Sequence, residues 1–219
     1  MLRIQVILIT MLYTISDVYG ETNTKLDLAQ ISADDGLKQW IEIQKEIVGP
    51  MYFQYFDEVK FALTPDDGKP LAQLVNGKEM DLIESTLQYS PERDRSVNMF
   101  VHNIEIHNTG WVPHRLSPDK HVYLFDEKSS RGWAILDIGS SGKLYSVGWV
   151  DNNTCVAFGL IPDVRTARLN AWRITVDFPN IRRERFLGPQ VNDYQSTALD
   201  KKWQSWLKYR FSTITWWNE

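Results

Sequence analysis

The sequence has little cysteine and glycine, and no strong excess of charge. With a single Cys among 219 residues, the chain cannot form an internal disulfide, so a disulfide-dense framework is excluded. Its 12 Gly residues are too few for a collagen-like repeat. The net charge of −4 gives no general reason to expect nucleic acid as a partner. With 43% apolar and 24% charged residues, the composition is typical of a globular domain.

Motifs of known catalytic and metal sites are also missing. The sequence contains neither a GxSxG motif nor a Cys–His signature of a nucleophilic hydrolase. The four His residues do not follow a recognised zinc spacing, so we predict neither a metal nor another cofactor. They are His102, His107, His114 and His121. Residues 21–100 hold fifteen acids, but a glycosidase needs two carboxyls that face each other, which a sequence does not show.

The first twenty residues have the layout of a secretory signal peptide. Arg3 supplies a short positive region, Ile4–Ile15 is a largely apolar run, and Val18 and Gly20 precede a cleavage point. This apolar run is too short to cross a hydrocarbon core of about 30 Å. We therefore predict cleavage after Gly20 and a secreted, periplasmic or cell-surface location, with an uncleaved N-terminal anchor as the alternative.

An exported chain without a disulfide must rely on its hydrophobic core. Cys155 lies at the start of an apolar segment and is predicted to be a small buried residue; an intermolecular disulfide or a reactive thiol is the alternative. Asn152-Asn153-Thr154 fits the N-glycosylation pattern, which matters only in a eukaryotic secretory pathway. The absence of disulfides favours a bacterial periplasm or cell surface.

The hydrophobic pattern predicts one helix followed by a series of short strands. Ser32–Val48 has helical periodicity and ends at Gly49-Pro50. From residue 51 the period changes towards two, and polar turns separate the strands. The predicted strands are 53–63, 71–75, 80–83, 96–108, 122–125, 133–138, 144–150, 155–161 and 169–178. Because no helical crossovers intervene, we predict an antiparallel β-sandwich over residues 51–180, immunoglobulin-like or jelly-roll, preceded by an N-terminal helix region at 21–50.

Residues 181–219 form a basic, Trp-rich C-terminal region with seven bases and four acids. Arg182–Arg185 is interpreted as a solvated linker. Ser196 can cap an amphipathic helix that runs to about Phe211. Its apolar side consists of Leu199, Trp203, Trp206 and Leu207. Three interpretations of this helix stay open: it docks on the sandwich, binds a partner protein, or makes peripheral contact with a membrane.

Three segments between Asn98 and Phe178 resemble immunoglobulin-like β-sandwich domains of small exported bacterial proteins. They are the strand VHNIEIHNTG, the strand–turn–aromatic unit HVYLFDEKSSRGW, and the apolar strand CVAFGLIPD. The resemblance covers about 80 of the 219 residues. It implies a sandwich fold and carries no activity, because this fold supports many functions. The Cys–Trp–Cys core of antibody domains is missing.

Aromatic residues are the most unusual component of the sequence, with nine Trp, nine Tyr and nine Phe. Four tryptophans in periodic segments are predicted to be core residues: Trp40, Trp133, Trp149 and Trp172. Trp111 lies in a predicted loop, where its ring could stack on a sugar or anchor a partner. The candidate contact residues are Trp111, Trp203, Trp206, Trp216 and Trp217.

These features favour an exported, non-enzymatic binding protein with a protein or carbohydrate ligand and no nucleic-acid partner. One alternative is a carbohydrate-binding module or lectin that stacks Trp and Tyr on sugar rings. The other alternative is an exported glycan hydrolase that uses a carboxylate pair from the early acidic region. The sequence does not indicate an oligomeric state.

Overall fold

The protein consists mainly of two antiparallel sheets with helices packed on one of them. The computed structural model describes residues 25–31, 35–64, 67–70, 84, 86–100, 104–107, 110–113, 121–162 and 166–210. Its helices are α1 (Leu28–Ile31), α2 (Asp35–Val48) and α3 (Asp193–Arg210). Its strands are β1 (Gln54–Ala62), β2 (Lys69–Pro70), β3 (Gln88–Tyr89), β4 (Arg95–Asn98), β5 (Ile104–His107), β6 (Gly110–Pro113), β7 (His121–Asp126), β8 (Arg131–Asp137), β9 (Lys143–Trp149), β10 (Thr154–Pro162), β11 (Ala167–Asp177) and β12 (Asn180–Val191).

Sheet 1 has five strands in the order β1-β12-β11-β10-β9. The last four strands of the chain form a meander of antiparallel neighbours, and β1 pairs with β12 at its edge. Strand β10 is buried from Cys155 to Leu160 without alternation. Such a continuous apolar run is typical of a strand that is covered on both faces.

Sheet 2 has the order β2-β8-β7-β4-β3 and faces sheet 1. The Nε1 of Trp149 in sheet 1 donates a hydrogen bond to the carbonyl of Gln88 in sheet 2, at 2.8 Å. Arg95 in sheet 2 donates from Nη1 to the carbonyl of Val176 in sheet 1, at 3.4 Å. The two sheets therefore pack as a β-sandwich, and β5 and β6 form a separate two-stranded hairpin.

The helices cover the opposite side of sheet 1 at its β9 end. Leu37 of α2 packs so closely on Gly148 that a Cβ at Gly148 would lie 3.0 Å from the Leu37 Cγ. The ring of Trp40 lies 5.0 Å from that of Tyr145 in β9 and 5.8 Å from that of Trp206 in α3. Thus α2 and α3 pack against each other and against β9 in one apolar cluster.

The predicted long strand at 96–108 is wrong, because the chain breaks it into β4 and β5, which belong to different sheets. The Oδ1 of Asn98 accepts a hydrogen bond from the backbone N of Phe100 at 2.6 Å, which turns the chain out of β4. Its Nδ2 donates to Thr86 at 2.7 Å, so the turn is fixed in the interior. The predicted strands 71–75 and 80–83 lie outside the described residues.

The interpretation of Arg182–Arg185 as a solvated linker is also wrong. These residues lie in β12, between β1 and β11, so the sandwich continues past residue 180 to Val191. The helix that follows begins at Asp193, before the predicted start at Ser196. Asn192 and Gln195 exchange side-chain-to-backbone hydrogen bonds at 2.9 and 3.1 Å, so Asn192 caps the helix in place of Ser196.

Candidate functional site

Six tryptophans have side chains that the structure describes, and each packs into the interior. The four predicted core residues Trp40, Trp133, Trp149 and Trp172 are buried, which confirms that prediction. Trp206 is 3% exposed, and Trp203 is partly buried. Five of these rings are therefore closed to a ligand, and Trp203 is held against Tyr145.

The remaining candidate tryptophans are less fully described. Trp111 lies in strand β6, opposite Ile106 of β5, so the prediction of a loop at this position is wrong. The signal for a hairpin was the pair of apolar segments on either side of the sequence Asn108-Thr109-Gly110, with Ile104 and Ile106 before it and Trp111 and Val112 after it. Trp216 and Trp217 lie outside the described residues.

Polar groups fix helix α3 on sheet 1 around Asp200. This carboxylate accepts from the Nζ of Lys143 at 2.6 Å and from the hydroxyl of Tyr145 at 3.0 Å. Burial, with a further contribution from the Asp200 charge, raises the pKa of Tyr145 above its ordinary value, so the phenol remains a donor. The Nε1 of Trp203 donates to the backbone carbonyl of Tyr145 at 2.7 Å. Trp203 and Trp206 thus hold the helix to the sheet.

Helix α3 does not have the length and apolarity needed for a membrane span, and neither does any other helix in the described ranges. Its buried residues are Leu199, Trp206 and Leu207, all on the side that faces the protein. Tyr194 and Tyr209 are the large apolar residues of α3 that are exposed, at 83% and 68%. The side of α3 that packs on the sheet is therefore not available to a partner.

Exposed apolar side chains occur instead along and beside strand β1. Tyr52 is 65% exposed, Phe56 is 53% exposed and Val59 is 41% exposed. Strand β1 is an edge strand of sheet 1. Lys25 pairs with its outer side at Gln54. Across the described ranges, no other residue pairs with this edge. An open edge with apolar side chains is a surface on which another chain can bind.

Two arginines of β12 lie beside these apolar residues. The guanidinium of Arg185 lies 4.9 Å from the ring centroid of Phe56, and its Nε donates to Asn170 at 2.9 Å. The guanidinium of Arg183 lies 6.0 Å from the ring centroid of Phe61. We call Phe56, Val59, Phe61, Arg183 and Arg185 the β1 edge surface. Aromatic and arginine side chains together are typical of the centre of protein interfaces.

The environment of Arg183 shows that the β1 edge surface is partly built into the sandwich. Its Nη1 donates to the carbonyl of Ile135 in sheet 2 at 3.3 Å. Burial lowers the pKa of Arg183, while the negative charges of Asp57 and Asp137 oppose this effect. The guanidinium is therefore held in place before any partner arrives, which reduces the entropy lost on binding.

The other face of β1 and β12 carries a charge network. Glu58 lies directly opposite Glu184, and each carboxylate has its own cation. Lys60 contacts Glu58 at 2.7 Å, and Arg173 holds Glu184 in a bidentate pair at 2.7 and 2.9 Å. The hydrogen bonds to Glu184 raise the pKa of Arg173. A shallow pocket of ≈ 500 Å³ beside this network is lined by charges of both signs, including Lys60, Asp177 and Arg182.

The other polar candidates are Cys155, the Asn152 glycosylation sequence and the histidines. Cys155 is a free, fully buried thiol, and burial raises its pKa to about 12, so it is not a reactive nucleophile. The side-chain amide of Asn152 donates to Glu92 at 3.0 Å and accepts from the Glu92 backbone N at 3.1 Å. Within the described ranges, no three His, Cys, Asp or Glu residues converge as a metal site. His102 and His114 lie outside those ranges.

Sequence reasoning missed the β1 edge surface, although the sequence contains a signal for it. Tyr55 and Phe56 are consecutive apolar residues in a strand whose segment 58–61 alternates between polar and apolar residues. The structure places a register shift between Tyr55 and Asp57, where Phe56 is the extra residue of a bulge. A bulge at this position directs the Phe56 ring towards Arg185 and solvent.

Comparison with known proteins gives no relative: no family model matches the chain, and no curated protein or solved structure matches it either.

Proposed function

We propose that this chain is an exported, non-enzymatic binding protein whose contact surface is the β1 edge surface. The observation that carries the proposal is the combination of an open strand edge, exposed Phe56 and Val59, and arginines already ordered by the fold. In this proposal the scaffold is an immunoglobulin-like or jelly-roll sandwich, and the terminal helices α2 and α3 stabilise it. The chain acts outside the cytoplasm after cleavage behind Gly20.

Export is tested on the full chain with its natural N-terminus. We expect the chain recovered from the periplasm, cell surface or medium to begin at Glu21 by N-terminal sequencing. An Arg3→Glu variant should remain uncleaved in the cytoplasm, because it removes the positive region that signal peptides need. Recovery of uncleaved wild-type chain in the cytoplasm would contradict the proposed location.

The contact surface is tested with a photo-crosslinking benzoylphenylalanine introduced at position 56 in the exporting cell. We expect a discrete adduct after illumination, identified by mass spectrometry. The same probe at position 194 is the control, because Tyr194 is exposed on α3, far along the chain from β1. An Arg185→Glu change should weaken the adduct at position 56, since it reverses the charge beneath the ring. Adducts at position 194 alone would contradict the proposal.

A carbohydrate ligand is the second candidate, and the exposed rings of Tyr52 and Phe56 favour it. An aromatic face can stack on a sugar ring, and these two rings are exposed where the described tryptophans are not. A glycan array would distinguish this candidate: binding that is lost in Tyr52→Ala and Phe56→Ala but kept in Tyr209→Ala would support a lectin. If no glycan on the array binds, the carbohydrate candidate is dropped and the proposal of a protein partner remains.

The hydrolase alternative has less support from the described carboxylates. Glu58 and Glu184 lie opposite each other, but Lys60 and Arg173 hold them as ion pairs. A glycosidase needs one carboxyl that is free to donate a proton and another that faces it across the substrate. Neither role is open to Glu184, because Arg173 holds its carboxylate in a bidentate pair.

A further inference from the structure

We propose that the partner of β1 is a second copy of this chain, paired antiparallel through β1 about a two-fold axis at Val59. The inference rests on the proposed contact surface and names what binds there. In the resulting dimer, the two copies of sheet 1 join into one continuous ten-stranded sheet. Phe56 and Val59, which are exposed in the single chain, lie at the contact between the two β1 strands.

The length of the open edge suits such a pair. The bridge between Lys25 and Gln54 occupies the outer side of β1 at its start, and the strand ends at Ala62. Among the residues that the structure describes, none pairs with the outer side of 56–62, and this stretch is centred on Val59. Two identical strands that pair antiparallel about Val59 therefore align their open stretches over the whole length.

Symmetry restricts the registers that two copies can use. In a continuous antiparallel sheet, a two-fold axis that relates identical strands runs perpendicular to the sheet, so each face continues as the same face. Side chains alternate between the faces along β1, where residues 57–62 pair one-to-one with β12. A residue can then lie opposite only a residue of the same face, so the axis must pass between one residue and its own copy.

The charges of β1 distinguish three possible registers, in which the axis lies at Glu58, Val59 or Lys60. An axis at Glu58 puts this carboxylate opposite its own copy, and an axis at Lys60 does the same with two ammonium groups; both arrangements are destabilising. An axis at Val59 puts Glu58 of each copy opposite Lys60 of the other, and Val59 opposite Val59. Glu58 and Lys60 already lie on one face, 2.7 Å apart, so the four charges form an alternating cluster.

The test measures the oligomeric state of the purified, exported chain by analytical ultracentrifugation. A single strand pair buries less than about 1,200 Å², which is typical of weak complexes, so the protein is examined from about 1 to 500 μM. We expect a concentration-dependent monomer–dimer equilibrium. Val59→Lys should weaken the dimer at least tenfold, because it puts two like charges opposite each other on the axis. Tyr194→Lys, an equally radical change at an exposed site, should leave the dimer unchanged.

A charge swap tests the register itself. Glu58→Lys and Lys60→Glu should each weaken the dimer, because each leaves like charges opposite each other. The double variant Glu58→Lys/Lys60→Glu restores two opposite-charge pairs and should dimerise like the natural chain. Circular dichroism and thermal unfolding confirm that each variant is folded. A double variant as monomeric as the single ones would overturn this register.

The outcomes separate this inference from the proposed function. A wild-type chain that is monomeric at every concentration overturns the second-copy inference. If the probe at position 56 then still captures another protein, the proposed binding function stands without it. Conversely, a dimer that Val59→Lys abolishes supports the second-copy inference even if the chain proves not to be exported.

Discussion

At the scale of single residues, the ion pair between Arg173 and Glu184 has the clearest energetic consequence. Glu184 is a buried carboxylate, and the side chain of Arg173 is only 21% exposed. Glu58 lies directly opposite Glu184 across the strand pair, so an unpaired Glu184 would meet a second negative charge. Arg182 approaches Glu184 only to 3.8 Å and is itself 47% exposed, which makes it a weak substitute.

We predict that Arg173→Met lowers the free energy of unfolding by about 3–5 kcal/mol, because it leaves a buried charge without its partner. The double variant Arg173→Met/Glu184→Leu should recover most of this loss, since an apolar pair of similar volume removes the buried charge altogether. Guanidinium unfolding of both variants and the natural chain provides the measurement. A single variant that loses less than about 1 kcal/mol would show that Arg182 compensates.

Cys155 provides a prediction about pH. Its pKa is raised from an ordinary value of 9.0 to about 12, mainly by burial. The folded protein therefore keeps the thiol proton between these values, whereas the unfolded chain loses it. The resulting stabilisation is fully present below pH 9 and is lost as the pH rises towards 12, with a limiting slope of about 1.4 kcal/mol per pH unit.

The matched variant is Cys155→Ala, which has no thiol to titrate. The difference in unfolding free energy between the natural chain and Cys155→Ala should be constant from pH 7 to 8.5 and then shift in favour of the variant from pH 9 to 10.5. Groups such as Tyr145 are common to both chains and cancel in the difference. The native thiol should also resist an aromatic disulfide reagent until the chain unfolds; rapid labelling of the folded protein would contradict the assigned burial.

At the scale of elements, strands rich in apolar residues were predictable from the sequence and the polar strand β12 was not. β7 to β11 lie close to their predicted positions, because their buried positions carry apolar side chains. β12 carries three arginines, and two of them bond to residues of other strands: Arg183 to the carbonyl of Ile135 in β8 and Arg185 to Asn170 in β11. The pair Tyr55-Phe56 indicates a bulge in β1, but the arginines of the β1 edge surface could not be predicted, since they reach β1 only when β12 pairs with it.

Helix α3 illustrates the converse case, in which the apolar pattern is correct but has several interpretations. The same side that could have bound a partner or a membrane packs on α2 and β9. Hydrophobic periodicity shows that a side is buried, but it does not show what buries it. The polar contacts of Asp200 with Lys143 and Tyr145 distinguish docking from the alternatives, and they join residues more than fifty positions apart.

The docked helix predicts a contrast between two of its aromatic residues. Trp206 is 3% exposed and packs against Trp40, whereas Tyr209 is 68% exposed. Trp206→Ala should lower the free energy of unfolding by about 3–5 kcal/mol through the lost burial and the cavity. Tyr209→Ala, on the same helix, should change it by less than about 0.5 kcal/mol. Equal, small effects in denaturant unfolding would contradict the packing of α3 on the sheet.

At the scale of the whole molecule, Gln88 of β3 connects the two sheets and the C-terminal helix. Its backbone carbonyl accepts from Trp149 of sheet 1 at 2.8 Å, and its Oε1 accepts from Arg210 at the end of α3, at 2.6 Å. Arg95 makes a second connection from sheet 2 to sheet 1 through Asn153 and Val176. One buried apolar cluster runs through all three layers, from Leu37 of α2 to Leu124 of β7.

These connections predict that the sheets and α3 unfold in one cooperative transition. Since sheet 2 covers one face of sheet 1 and the helices cover the other, loss of either neighbour exposes an apolar face of sheet 1. Far-ultraviolet circular dichroism and tryptophan fluorescence should give the same midpoint in guanidinium. Arg95→Ala, which removes a sheet-to-sheet contact, and Trp206→Ala, which weakens the helix, should each move both signals together. A helical signal at 222 nm that is lost ahead of the fluorescence in Trp206→Ala would show instead that α3 detaches from an intact sandwich.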